Sequence, residues 1–237
     1  MSLRQRRHPG ALLALAVALG AGAGCSSAGA HDPTVLRIGI MPSVAHAAAL
    51  TAKRRGTIER AVVPRRVEWK VFGAGPAIIE AIYAGAIDAA YVGPGPAENG
   101  FLRSRGEALV VLAGAASGGA AFVVRRSAGI HGPSDLRHKR LATPQLGNTQ
   151  DVALRTWLEE QGLRTNDRGG DVMVFPLDGP AILTLMKRGD LDGAWVPEPW
   201  VARLCDEAGG EVLLDERDLW PDRRFPTALL VAARTAM

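Results

Sequence analysis

Residues Pro76–Val92 read PAIIEAIYAGAIDAAYV, and residues Pro180–Val196 read PAILTLMKRGDLDGAWV. Without a gap, seven of the seventeen aligned positions are identical, where average composition gives about one or two. Four further pairs are conservative, among them Tyr91 with Trp195. The chain therefore contains an internal repeat, which indicates a duplicated structural unit.

Each copy of the repeat predicts a helix followed by a short buried strand. A Pro opens the helix, where its missing N–H costs no hydrogen bond, and apolar residues at helical spacing supply one buried face. Gly85 and Gly189 stand where the helix ends, a position that favours glycine. The apolar residues that follow are typical of strands inside parallel sheets. Asp88 and Asp192 precede these strands, and we interpret them as turn-forming residues rather than catalytic acids.

Strands and helices alternate on either side of each copy. The other predicted strands are 35–40, 65–71, 139–142, 172–175 and 211–214. Because such alternation implies parallel sheets, we predict an α/β protein with two doubly wound lobes. Uncharged segments at 120–124 and 227–233 are predicted to cross between the lobes as a two-strand hinge. The predicted limits are 33–120 plus 215–237 for lobe 1 and 121–214 for lobe 2.

The first 24 residues have the composition of a secretory signal. Three Arg fall within the first seven residues, residues 11–20 are apolar and uncharged, and small residues lead to Cys25. The apolar stretch is too short for a membrane span, which takes about 20 residues. Ala23-Gly24-Cys25 resembles a bacterial lipobox. Residues 1–24 are therefore predicted to be a lipoprotein signal peptide and Cys25 the lipidated residue, with simple cleavage near the same point as the alternative.

Charge and cysteine content narrow the classes of function. Without the three Arg of the leader, 25 of the 28 basic residues remain against 24 acidic ones. A nearly neutral remainder gives no reason to expect nucleic acid as a partner. If Cys25 is lipidated, Cys205 has no disulfide partner, and we expect it to be a packed core thiol. The five His residues show no metal-ligand spacing, so neither a metal nor another cofactor is predicted.

The ligand site is expected beyond the carboxyl ends of the strands, where open α/β sheets bind their ligands. The segments that follow the predicted strands are rich in Gly, Ser, Thr, Asn and Gln, whose neutral donors suit an oxyanion. The predicted ligand-binding residues are Ser43, His46, Gly73, Gly93, Ser117, Gln145, Asn148, Thr149, Trp195 and Glu198. Asn148 is also expected to cap the helix that follows it.

For three of these residues, a structural role is an alternative to ligand binding. His46 either contacts ligand or faces solvent at the start of a helix. Glu198 either receives the amine of a zwitterion or is an acidic residue at a helix N-terminus. Trp195, like Trp200, either covers an organic part of the ligand or packs inside a lobe.

Both copies of the repeat and three further segments carry a resemblance to a known family. The segments are Gly85–Ala90, Asp135–Ala142, Pro144–Thr149, Gly189–Ala194 and Pro197–Trp200. Over roughly residues 35–233, the chain resembles the SsuA/TauA/NrtA-type solute-binding proteins, also described as NMT1/THI5-like. The resemblance implies the type II periplasmic binding fold. Together with the predicted lipid on Cys25, it leads us to expect a monomer that works outside the cytoplasm and is attached to the membrane through its N-terminus. It also implies capture of a small oxyanion or zwitterion, of the sulfonate, taurine or nitrate class, for an ABC permease and ATPase.

Two other functions share this fold, and the chain length departs from the family pattern. An enzyme similar to the thiamine-pyrimidine synthases would need the cysteine-rich metal segment of that group, which the sequence lacks, so we predict no enzymatic activity. A lipoprotein that senses its ligand for a membrane partner is the second alternative. Family members continue into C-terminal helices that pack on the first lobe, whereas this chain stops at Met237. We therefore expect a shortened chain with apolar surface exposed on lobe 1.

Overall fold

The computed structural model describes residues 32–237, so the predicted signal peptide and Cys25 lie outside the described residues. Residues 32–237 form one compact unit. The strands in this range are β1 Val35–Ile40, β2 Arg66–Val71, β3 Ala89–Val92, β4 Leu109–Ser117, β5 Ala120–Arg125, β6 Arg140–Thr143, β7 Met173–Pro176, β8 Gly193–Pro197, β9 Gly210–Asp215 and β10 Pro226–Ala233. The α-helices are α1 Ala47–Arg55, α2 Thr57–Ala61, α3 Gly75–Tyr83, α4 Pro94–Arg103, α5 Thr149–Glu160, α6 Gly179–Arg188 and α7 Trp200–Glu207.

The strands form two five-stranded sheets with equivalent topology. The first sheet has the order β2-β1-β3-β10-β4, and the second has the order β7-β6-β8-β5-β9. Three parallel strands begin each sheet, with β1 between β2 and β3 and with β6 between β7 and β8. The fourth strand of each sheet is antiparallel and enters from the other lobe. The predicted fold class, two α/β lobes joined by a two-strand hinge, is confirmed.

The two crossings of the hinge differ in length. The first is the pair Gly118 and Gly119, whose φ angles of 74° and 76° favour glycine and allow β4 to turn directly into β5. The second crossing takes residues 216–225, which form two short 3₁₀ turns before β10 begins. The limits of the lobes proposed from the sequence stay predictions.

The aspartates of the repeat tie each helix–strand unit to its neighbouring strand. In lobe 1, the backbone N–H of Arg37 donates to Asp88 Oδ2 over 2.7 Å, and the Arg37 guanidinium donates to the Gly85 carbonyl over 2.8 Å. In lobe 2, Arg140 makes the same two bonds, 2.9 Å to Asp192 and 2.8 Å to the carbonyl of the glycine that ends α6. The repeated Gly-x-Ile/Leu-Asp pattern is therefore a structural clamp at the amino ends of the strands.

Helices cover both faces of each sheet, as parallel strands require. On the first sheet, the Ile side chains of α3 pack on one face and Ala49 of α1 lies on the other. On the second sheet, α6 and α7 cover one face, and α5 covers the other through an aromatic cluster. In that cluster Trp195 stacks on Phe122 at 5.6 Å and meets the edge of Trp157 at 6.2 Å.

The outer edge of the first sheet exposes apolar side chains. Strand β4 is the edge strand, and its residues 111–114 are exposed. Val111 and Leu112 each keep more than half of their surface accessible. The effect of this surface on solubility stays a prediction.

Candidate functional site

A cavity of about 240 Å³ lies where the carboxyl ends of strands from both sheets meet. It is lined by the segments that follow β1, β2 and β3 of the first sheet and β6, β7 and β8 of the second. Its polar side chains belong to Ser43, His46, Gln145, Asn148, Thr149, Gln150, Asp178 and Thr227. A single buried water needs only about 10–15 Å³ of such volume, so this cleft has room for a small organic ligand.

Seven of the ten residues that we predicted for the site line this cleft. They are Ser43, His46, Gly73, Gly93, Gln145, Asn148 and Thr149. They come from loops more than 100 residues apart in the sequence and meet because equivalent strands of both sheets end at the same edge. Contact of these residues with a ligand stays a prediction.

Ser117 lies outside this cleft, and its predicted contact with a ligand stays a prediction. It is the last residue of β4 and pairs with Pro226 of β10. Because β10 runs alongside β4 to this point, Ser117 still belongs to the hinge strand rather than to a loop after it. The exposed Ser117 side chain borders a separate depression formed with Arg224 and Phe225.

Trp195 is also absent from the cleft, and the packing alternative holds. Side chains alternate along β8, so Ala194 and Val196 face one core of the second lobe and Trp195 faces the other. The indole is fully buried, and its Nε1–H donates to Glu216 over 2.7 Å. The tryptophan that lines the cleft is Trp200, at the start of α7.

Glu198 does not line the cleft either, and its helix-terminus alternative describes it correctly. The backbone N–H of Ala202 donates to the Glu198 carboxylate over 3.1 Å, within the first turn of α7. Its side chain passes beside Gly119 of the hinge. The carboxylate is thus occupied in stabilising the positive end of a helix.

His46 lines the cleft as a buried, neutral ring. The backbone N–H of Met41 donates to its Nδ1 over 3.1 Å, and the ring lies 6.3 Å from that of Tyr91. Burial lowers the pKa of His46 to about 4 because it disfavours the charged form. Since Nδ1 accepts a hydrogen bond, the proton of the neutral ring resides on Nε2, which makes that atom a donor.

The loop that carries Gln145, Asn148 and Thr149 is held from below by Asp151. Asn148 Oδ1 accepts the Asp151 backbone N–H over 2.8 Å and caps α5 as expected. The buried Asp151 carboxylate in turn accepts a hydrogen bond from the Gly147 N–H over 2.9 Å. It also forms an ion pair with an Arg one turn further along the helix. The cleft side of this loop is therefore fixed before any ligand arrives.

The two lobes touch each other at the N-termini of α4 and α5. The backbone N–H of Gly95 donates to Thr149 Oγ1 over 3.3 Å. A side chain on Gly93 would lie 2.4 Å from that oxygen, and one on Gly95 would lie 3.0 Å from the Thr149 Cα atom. These glycines of lobe 1 thus allow lobe 2 to close over the cleft.

Three polar cleft residues were not among the predicted ligand-binding residues: Gln150, Asp178 and Thr227. Asp178 follows β7 and caps α6 by accepting the Ala181 N–H over 2.9 Å. The segment after β7 is a post-strand segment like the others that were used to predict the site. Had it been used as well, the Asp178 carboxylate would have been among the predicted residues. Thr227 could not be found in this way because it lies within β10.

Among the described residues, neither Cys205 nor any Arg lines the cleft. Cys205 packs against the core cluster of α6 and α7, and burial raises the pKa of its thiol. Arg155 is paired with Asp151 and Asp167. Within residues 32–237, no group of three His, Cys, Asp or Glu side chains has a metal-binding arrangement. No helix in that range has the length and hydropathy to cross a membrane.

Two lobes of this topology around a cleft define the type II periplasmic binding fold, and solved structures of that class resemble the chain. The alkanesulfonate-binding protein SsuA of Xanthomonas axonopodis pv. citri, bound to MOPS, superposes with a TM-score of 0.69 at 22% identity, over 87% of this chain and 68% of that one. The nitrate-binding protein NrtA of Synechocystis PCC 6803 superposes with a TM-score of 0.66 at 18% identity, over 85% and 56%. At these identities the likeness establishes the fold.

The chain belongs to the NMT1-like family, whose model matches residues 29–237. The taurine-binding periplasmic protein of Escherichia coli (strain K12) is 31% identical over 153 residues, which cover 65% of this chain and 45% of the relative. The chain thus spans about half the length of the curated relatives that it matches. These relatives are binding proteins rather than enzymes.

Proposed function

We propose that this chain is the solute-binding component of an ABC importer, which captures a small oxyanion or zwitterion of the sulfonate, taurine or nitrate class. The cleft itself carries the proposal, because loops from both lobes converge on one cavity that lobe closure can cover. The helices α3 to α7 begin at this cavity. The N–H groups and positive dipole ends of helix N-termini favour an anionic ligand group.

The proposal predicts binding without chemistry. A thermal-shift screen with alkanesulfonates, taurine, nitrate and thiamine-pyrimidine precursors should raise the melting temperature for at least one oxyanion class, by mass action on the folded state. Mass spectrometry of the recovered ligand should show it unchanged, whereas a converted product would favour the enzyme alternative. If no oxyanion stabilises the chain, the proposed function fails.

The site is tested with a matched pair of variants. Gln145→Ala removes a cleft side chain, and one neutral hydrogen bond of about 0.5–1.5 kcal/mol corresponds to binding that is about 2- to 13-fold weaker by calorimetry. Ser117→Ala removes a polar group of similar kind from the hinge strand, outside the cleft. It should bind as the unaltered chain does. Unchanged binding by Gln145→Ala, or weakened binding by Ser117→Ala, would contradict this site.

We further propose that the protein works outside the cytoplasm as a monomer and is anchored by a lipid on Cys25. The basic start, short apolar core and small residues before Cys25 support the anchor, and the periplasmic location named for the taurine-binding relative supports the compartment. Cys25→Ala should leave the membrane fraction and appear as a soluble extracytoplasmic protein.

The proposed partners are an ABC permease and ATPase, and uptake of the identified ligand by cells should depend on all three proteins. If the protein is a sensor instead, its deletion should leave uptake of the ligand unchanged.

A further inference from the structure

The described residues that line the cleft offer an anion no side-chain cation. Among the lining residues in the described part of the chain, Asp178 alone carries a formal charge, and neither Lys nor Arg occurs. A carboxylate without a facing cation repels an anionic ligand group when water is excluded. Asp178 is exposed and caps α6, so its charge favours a ligand that carries a positive group of its own.

A second acceptor follows the strand adjacent to the one that precedes Asp178. The last residues of β6 and β7, Thr143 and Pro176, are register partners. Gln145 and Asp178 each stand two residues beyond this pair, so the ends of two adjacent strands bring them to the same part of the cleft. Gln145 Oε1 is buried and accepts no hydrogen bond from the residues that the structure describes. A buried acceptor of this kind costs free energy until a donor reaches it.

The two lobes present opposite polarity at equivalent helix starts. In lobe 2, Asp178 is the N-cap of α6, and its Oδ1 accepts the Ala181 N–H over 2.9 Å. In lobe 1, the N-cap of α3 is Ala74, whose methyl side chain cannot accept a hydrogen bond. The uncapped N–H groups of α3 can therefore serve the anionic end of a ligand, while the α6 start offers a carboxylate.

Resting on the proposed function, we propose that the ligand is a zwitterion and that Asp178 and Gln145 form the subsite for its protonated amine. The oxyanion of the same molecule then lies toward lobe 1 and the start of α3. A ligand of this type neutralises the Asp178 charge and satisfies Gln145 Oε1 in one step. Simple anions such as nitrate do neither.

Matched ligands test the subsite. Taurine and ethanesulfonate differ only in the amine, as do β-alanine and propionate. Calorimetry with the full chain should show at least tenfold tighter binding of the amine-bearing member of a pair. Binding of ethanesulfonate or propionate as tightly as its amine-bearing partner overturns the subsite while leaving the proposed function standing. Failure of every oxyanion to bind overturns both.

Matched variants then assign the preference to Asp178. Asp178→Asn and Asp178→Ser remove the charge and keep an oxygen that can cap α6, so the melting temperature of the free protein should change little. Both should reduce the amine preference to less than threefold, mainly by weakening the amine-bearing ligand. Asp190→Asn is the control, because it removes an exposed carboxylate just beyond the opposite end of α6. If the Asp178 variants weaken both members of a pair equally, or if Asp190→Asn has the same effect, the assignment is wrong.

Discussion

Glu216 is a buried carboxyl at the start of the return crossing, and removing its charge should stabilise the protein at high pH only. The residue keeps 2% of its surface exposed, and its Oε2 accepts the 2.7 Å hydrogen bond from Trp195 Nε1. Burial raises the pKa of Glu216 to about 7. The Trp195 bond opposes this rise and the negative charge of Asp215 adds to it.

The size of the effect follows from proton linkage. The folded state binds the Glu216 proton more tightly than the unfolded state, whose pKa is near 4.5. Stability from this group is therefore present below pH 4.5 and is lost as the pH rises to about 7. At about 1.4 kcal/mol per pKa unit, the loss is on the order of 3 kcal/mol. Glu216→Gln keeps an acceptor for Trp195 and cannot ionise, so it should recover this free energy of unfolding at pH 8 and little at pH 4.5.

Calorimetric melts of the unaltered chain and Glu216→Gln at the two pH values measure the difference. For a protein of this size, about 3 kcal/mol corresponds to a rise of about 6–12 °C in melting temperature at pH 8. Glu98→Gln on the exposed side of α4 removes the same charge without burial and serves as the control. An equal change for Glu216→Gln at both pH values, or a decrease at pH 8, would refute the reasoning.

Three further perturbations test the contacts that build the cleft and the lobes. Gly95→Ala places a methyl group 3.0 Å from Thr149 Cα, and overpacking of about 1–3 kcal/mol should weaken ligand binding about 5- to 160-fold by calorimetry. Gly114→Ala, which meets open space, should bind normally, and equal affinity of both variants would contradict closure at this contact. Asp192→Ala removes the carboxylate partner of two partly exposed arginines of the second lobe and should cost about 1–3 kcal/mol in denaturant titrations. A loss below about 0.5 kcal/mol would argue against the clamp. Because the pKa of His46 is lowered to about 4, the free energy of unfolding of the protein should fall by on the order of 3 kcal/mol as the pH falls from 6.5 to 4. His46→Asn should remove this slope, and an unchanged slope would exclude His46 as its source.

The sequence alone predicted the architecture because the deciding signals are local. The gapless repeat, the glycines that end its helices and the apolar strand segments each depend on residues near one another in the chain. Two uncharged segments bounded by Gly and Pro predicted the crossings between the lobes. The position of most of the site followed as well, since parallel strands end on one edge of a sheet and their loops must meet there. Ser43, Gln145 and Thr149 reached the cleft by this rule.

The tertiary structure decided what depends on pairing between distant strands. Ser117 lies outside the cleft because β10, more than 100 residues later in the chain, pairs with β4 as far as that residue. Trp195 and Trp200 look equivalent in sequence, yet the register of β8 turns the first into the core while the start of α7 holds the second at the cleft. The role proposed for Asp178 depends on which residues surround it, and the described residues that line the cleft include neither Lys nor Arg. Side-chain direction and local charge balance are set by long-range contacts, which no short segment of the sequence contains.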